Sequence, residues 1–196
     1  MTPATSRRRP GLERVLATAD RLFYERGLHA TGVDLIAAEA GVSKTTMYTY
    51  FRTKDELVAA YLQARSDAWR AHVEEQLDRL EADPIERVQR VFDLLGAWFR
   101  SDDFHGCPFI NAEAESLPDS PGHRVNLAHR AWVRELFAEQ LRPLGVVGPS
   151  DAVVLSLAAL YDGTMAAAQA EPDQPWSTAA REAARAIVTG SVSGAA

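Results

Sequence analysis

Residues 33–51, VDLIAAEAGVSKTTMYTYF, constrain the fold more than any other stretch of this chain. Ile36, Ala37, Ala40, Val42 and Met47 recur at helical spacing, which predicts two short helices joined by a tight turn. Gly41 stands where the chain must reverse, a position at which the lack of a Cβ costs least. Ala37 is small where two helices must cross closely. The second helix then displays Ser43, Lys44, Thr45, Thr46, Tyr48 and Thr49: hydroxyls, one cation and little bulk. Such a face suits the major groove of double-stranded DNA, where hydroxyls and amines meet base edges and phosphates. A helical hairpin whose polar face meets only water would satisfy the same apolar template, because that template recurs by chance. Basic flanks favour DNA: Arg7, Arg8 and Arg9 precede the first helix, and Lys54 follows Tyr50 and Phe51.

The net charge of −6 conflicts with DNA binding until it is divided along the chain. Residues 1–60 hold nine Lys/Arg against seven Asp/Glu, a balance of +2, and residues 61–196 carry −8. The acidic remainder repels phosphate and favours docking by one end. At 196 residues the chain has room for a proper core, as one compact unit or two small domains. No stretch is read as approaching the apolar length of a membrane span, and the start, TPATSRRRPG, lacks the apolar run of a signal peptide. One cysteine gives no internal disulfide. These features lead us to expect a cytoplasmic protein with no membrane partner.

Helical periodicity runs throughout, and no strand pair is credible, so an all-α fold of about nine helices is expected. A first helix carries Leu12, Val15, Leu16, Ala19, Leu22 and Phe23 and stops near Gly27. A long amphipathic helix begins at Lys54 and carries Leu57, Tyr61, Ala64, Ala68, Leu77 and Leu80. Asp83-Pro84 opens a fifth helix. A short sixth helix is expected at 110–116 and a seventh at 122–141. Alanine crowds the last two, about 151–170 and 177–189, and the tail after Thr189 is expected to be disordered. Small side chains let helices approach closely, which fits a four-helix interface between two copies, although helix propensity alone would also explain the alanines. The expected domains are 1–53, with the paired helices at 33–51, and 54–196.

The stretch from Leu16 to Leu62, LATADRLFYERGLHATGVDLIAAEAGVSKTTMYTYFRTKDELVAAYL, resembles the DNA-binding domain of the TetR family of transcriptional regulators. The segment Gly106–His123, GCPFINAEAESLPDSPGH, resembles one branch of that family. The resemblance implies an N-terminal helix-turn-helix domain followed by a helical ligand-binding and dimerisation domain. It implies a homodimer on a palindromic operator, released by a small-molecule effector, with the last two helices as the dimer interface. A constitutive or architectural DNA-binding protein is the alternative.

Candidate DNA contacts follow from residue chemistry. Lys44 and Lys54 suit phosphates, and Tyr48 and Tyr50 offer phenolic donors. Thr45, Thr46 and Thr49 could read base edges, with Ser43 beside them. Thr31 and the amides that open the second helix could hold a further phosphate. Gly32 departs from the Ser or Thr that many family members carry there, which leaves only its backbone amide. Arg7–Arg9 are either an arm for the minor groove or a solvated tail.

Candidate effector contacts are the aromatic and flexible apolar residues Trp98, Phe99, Phe104, Phe109, Ile110, Trp132, Phe137, Tyr161 and Met165, with Thr164. Asn111, Glu113, His129 and Asp162 are possible polar anchors. Aromatics at helical spacing are more often packed core than cavity lining. Gly96 and Gly163 each cost up to about 1 kcal/mol inside a helix and need a reason, either close helix contact or space for a ligand. His105, Cys107, Glu113, Glu115 and His123 match no zinc spacing, and Cys107 reads as a small buried residue. No nucleophile–base pair or phosphate loop is visible, so no enzyme, metal or cofactor is expected.

Overall fold

The computed structural model describes residues 10–193, with side chains to Ser191. Among the described residues the fold is all-helical, in the order α1 Pro10–Arg26, α2 Val33–Glu39, α3 Lys44–Tyr50, α4 Lys54–Asp78, α5 Pro84–Phe99, α6 Pro108–Glu115, α7 Pro121–Leu141, α8 Ala152–Ala170 and α9 Trp176–Ser193. A 3₁₀ turn at Arg142–Leu144 ends in Gly145 at φ 87°. The Arg7–Arg9 arm lies outside the described residues.

Two compact units emerge. The first comprises the chain up to Ala64 together with Ala112–Val125, and the second comprises Arg65–Asn111 and the chain from Asn126 onward. This differs from the boundary expected at residue 53. The reason is that α4 is continuous, and its opening turns bury Leu57, Val58, Tyr61 and Leu62. The Tyr61 ring meets Phe23 at 5.6 Å within the first unit.

In that unit α1 buries Val15, Ala19, Leu22 and Phe23, each large side chain contributing roughly 1.5–3 kcal/mol. α2 packs on α1, and α3 on α2. Gly27 (φ 84°) ends α1 and Gly41 (φ 64°) reverses the chain, both in the left-handed region where a Cβ is penalised. The turn is closed by the Gly41 N–H donating to Ala38 O and the Val42 N–H to Ala37 O. Ile36, Ala37, Ala40 and Met47 complete the core.

In the second unit α5, α8 and α9 pack together. Asp83 caps α5 with a reciprocal capping box through Glu86, and Pro84 occupies the first turn. Phe92 and Phe137 are fully buried and stack at 6.1 Å. Gly96 proves to be a close-approach site, because a Cβ there would collide with the Ser177 side chain of α9.

Two expectations are corrected. α9 continues to Ser193, so the chain is helical beyond Thr189. α8 is, by length and composition alone, apolar enough to cross a membrane: 19 residues with a mean hydropathy of 1.2. Its apolar character instead serves packing on α5 and α9, with Val154, Leu157, Tyr161 and Met165 buried.

Gly96→Val should lower the unfolding free energy by roughly 1–3 kcal/mol through overpacking. Urea denaturation followed by circular dichroism measures it, and an unchanged midpoint would mean the α5–α9 contact yields freely.

Candidate functional site

α3 is only seven residues long, and local chemistry starts it. The Ser43 Oγ accepts from the Thr46 N–H at 3.0 Å, the N-cap arrangement that satisfies an orphan donor. The Ser43 and Thr46 hydroxyls lie 2.9 Å apart, and the Thr49 Oγ1 donates to Thr46 O at 2.7 Å. Met47 points into the core. The outward face presents Lys44, Thr45, Tyr48 and Thr49, all exposed. The Lys44 ammonium pairs with Asp34 of α2 at 2.8 Å, which raises its pKa, and a phosphate would compete with that carboxylate.

The other candidates are placed differently. Thr31 is a correction: it is fully buried, and its Oγ1 donates to Leu22 O at 3.2 Å. Its hydroxyl therefore ties the loop to α1 and is unavailable to DNA. Gly32 is the α2 N-cap with no side-chain cap, and a Cβ there would meet nothing. Tyr50 is half-buried, its hydroxyl facing Gly11 of α1. The Lys54 ammonium donates to Leu28 O, so it closes the loop between α1 and α2.

Glu115 is the residue whose role sequence reasoning missed. From the end of α6 its carboxylate accepts the backbone N–H of Leu28 at 3.0 Å and of His29 at 2.6 Å. Gly27 has φ 84°, and a Cβ there would come within 2.9 Å of Glu115 Oε1. The loop that feeds α2 is thus held by a carboxylate on its amides and by an ammonium on its carbonyl. On α1, Arg14 Nε donates to Ala40 O at 3.0 Å, and Arg21 pairs with Glu39. Both clasp the C-terminal end of α2. The sequence signal for Glu115 was weak, because its partners are 86 and 87 positions away.

In the second unit a cavity of about 20 Å³ is lined by Cys107, Phe109, Ile110, His129, Arg130, Val133, Arg134, Ala158, Tyr161, Asp162 and Met165. That is room for roughly one water. Phe109, Ile110, Tyr161 and Met165 of the candidate effector contacts therefore meet, with His129 and Asp162 among the polar anchors. The remaining candidates do not line this cavity. Trp98, Phe99 and Phe104 form a separate aromatic cluster with Trp69, with centroids 4.9–6.4 Å apart. Trp132 lies under the Arg70 guanidinium at 5.2 Å, and Phe137 is core. Asn111 Nδ2 donates to His105 O, and Thr164 Oγ1 to Leu160 O. Burial pushes the Cys107 thiol up to about 11, which keeps it protonated. Among the described residues no group of three or more His, Cys, Asp or Glu is placed to hold a metal. Glu113 instead pairs with His123 at 2.7 Å.

A capped, polar-faced second helix held across a tight turn by two partner helices defines a helix-turn-helix DNA-binding transcriptional regulator. Residues 15–61 match the model of bacterial regulatory proteins of the tetR family. The uncharacterised regulator YxaF of Bacillus subtilis is 34% identical over 136 residues, 68% of this chain and 71% of that protein. The transcriptional activator FasR of Mycolicibacterium smegmatis is 39% identical over 85 residues, 41% of this chain but only 38% of FasR. SCO4454, a TetR-family regulator from Streptomyces coelicolor, superimposes with a TM-score of 0.79 at 35% identity, over 94% of this chain and 95% of that one. The chain belongs to the TetR family.

Two substitutions test the geometry. Lys44→Ala should weaken binding to all DNA sequences alike and lower the slope of log affinity against log salt by about one; an unchanged slope removes Lys44 from the phosphate contacts. Glu115→Ala should cost about 1–3 kcal/mol of stability, since two amides lose a charged acceptor, with Glu115→Gln costing less. Equal stability of all three proteins in urea would dismiss the clamp.

Proposed function

We propose that the protein is a repressor that binds a palindromic operator as a homodimer and is released by a small molecule held in the second unit. The observation that carries the DNA contacts is the exposed α3 face of Lys44, Thr45, Tyr48 and Thr49. We assign Lys44 to a phosphate, the two threonines to base edges and the Tyr48 hydroxyl to a phosphate.

Dimerisation is supported by α8. Leu155, Ala159, Gly163 and Ala166 are exposed at spacings of three and four, and a Cβ on Gly163 would meet nothing within the chain. A helical glycine with no close neighbour in its own chain is explained by close approach of a second copy. Two recognition helices in a two-fold dimer reach half-sites about 34–36 Å apart, or a multiple of that.

The effector would occupy the Cys107–Met165 cavity after its wall moves, because the present volume holds about one water. Its differential affinity for two arrangements would reach α3 through α4, the helix that runs from Lys54 of the first unit into the second. The tightness of the cavity favours a second reading, a constitutive DNA-binding protein with a packed core.

Selection from a genomic DNA library, with native mass measured in parallel, tests the reading. A short palindrome should be enriched, the mass should be twice 21.5 kDa, and a reporter behind that palindrome should be silenced. Gly163→Arg should shift the protein to the single-chain mass and abolish operator retention at moderate salt. Sequence-blind retention overturns the operator, a single-chain mass overturns the dimer, and reporter activation overturns repression.

A further inference from the structure

The cavity of the second unit has a charge pattern that its apolar floor does not require. Three charged side chains edge it: Arg130 and Arg134, one helical turn apart on α7, and Asp162 of α8. Arg130 Nη2 lies 2.6 Å from Asp162 Oδ2, so that pair is neutral overall. Among the described residues no carboxylate lies within ion-pair distance of Arg134. His129 adds no negative charge. Its ring stacks on Phe109 at 3.6 Å, its Nδ1 shares a hydrogen bond with Ser66 Oγ at 2.9 Å, and Arg70 Nε donates to that same oxygen. Burial beside Arg70 and Arg130 pushes the His129 pKa down to about 3, so the ring is neutral at neutral pH.

The rim therefore carries one surplus positive charge above a floor of Phe109, Val133, Tyr161 and Met165. A guanidinium presents a planar fork that matches a carboxylate, and its charge gains strength where water is partly excluded. The floor offers aromatic faces and one flexible thioether, which adapts to varied apolar shapes. The phenol of Tyr161 is buried, so a guanidinium of the rim rather than that hydroxyl is the group to orient a ligand at the mouth.

We propose that this cavity takes a small organic acid, its carboxylate on Arg134 and its apolar body, aromatic or aliphatic, against Phe109, Tyr161 and Met165. The inference rests on the reading of the second unit as an effector site. Asp162 competes with the incoming carboxylate for Arg130, so the rim that attracts an anion already carries an internal one. Ile110 at the half-buried edge and Met165 on the floor are the side chains that must move to admit it.

Equilibrium dialysis of the full chain against benzoate, cinnamate and octanoate, each beside its neutral amide, tests this. At least one acid should bind, with its amide at least tenfold weaker. Arg134→Gln should weaken the acid tenfold or more and leave the amide unchanged, whereas Asp162→Asn should tighten the acid. Arg134 is only half-buried, and thermal melts verify that each variant is folded. Amides that bind as well as acids, an indifferent Arg134→Gln variant, or no binding by any of these compounds would overturn the organic-acid assignment. The effector reading fails by a different result: no compound in a library of mixed charge releases the operator.

Discussion

A helix of seven residues cannot hold itself together in water, because the cost of nucleation outweighs the few hydrogen bonds it gains. The outward face of α3 is exposed, so what stabilises the helix comes from its inner side, its ends and its neighbours. Met47 supplies the inner side, Ser43 the N-terminal cap, and Gly41 the sharp entry. α2 then needs support in turn, which α1 provides through Val15, Ala19, Leu22 and the Arg14 bond to Ala40 O. The architecture of the first unit follows from the need to present one short, polar helix rigidly.

The polar groups around that helix are more committed than their types imply. The Lys54 ammonium is spent on a backbone carbonyl, the Thr31 hydroxyl on another, and Lys44 is shared with Asp34. Glu115 completes this set by accepting two amides in the loop that opens α2. An exposed ion pair such as Lys44–Asp34 contributes little to stability. In the proposed DNA contact, a lysine already restrained near α3 would lose less freedom if a phosphate replaced the carboxylate.

The second unit resolves a different tension. α8 is apolar over most of its length, yet only part of it can face the core formed with α5 and α9. The core face holds the large residues Val154, Leu157, Tyr161 and Met165, and the open side holds Leu155, Ala159, Gly163 and Ala166. The one charged residue of α8, Asp162, lies at the cavity rim, where it meets Arg130. Leu155 apart, the open side carries small residues, where the chain's own atoms leave space.

The order and type of the helices, the turn glycines, the Asp83-Pro84 start and the separation of charge were legible in the sequence. Each rests on local periodicity, on caps or on the φ that a residue tolerates. The exposed α3 face was legible for the same reason: residues one or two positions from Met47, such as Thr45, Tyr48 and Thr49, turn away from the side that it buries. Other features were decided only by tertiary structure. Thr31 turned inward, Tyr50 packed against Gly11, and Trp98, Phe99 and Phe104 gathered away from the cavity. Glu115 reached amides almost ninety residues earlier in the chain. Periodicity states which side of a helix is apolar. Which distant group that side meets depends on how helices far apart in sequence cross, and no local pattern encodes that crossing.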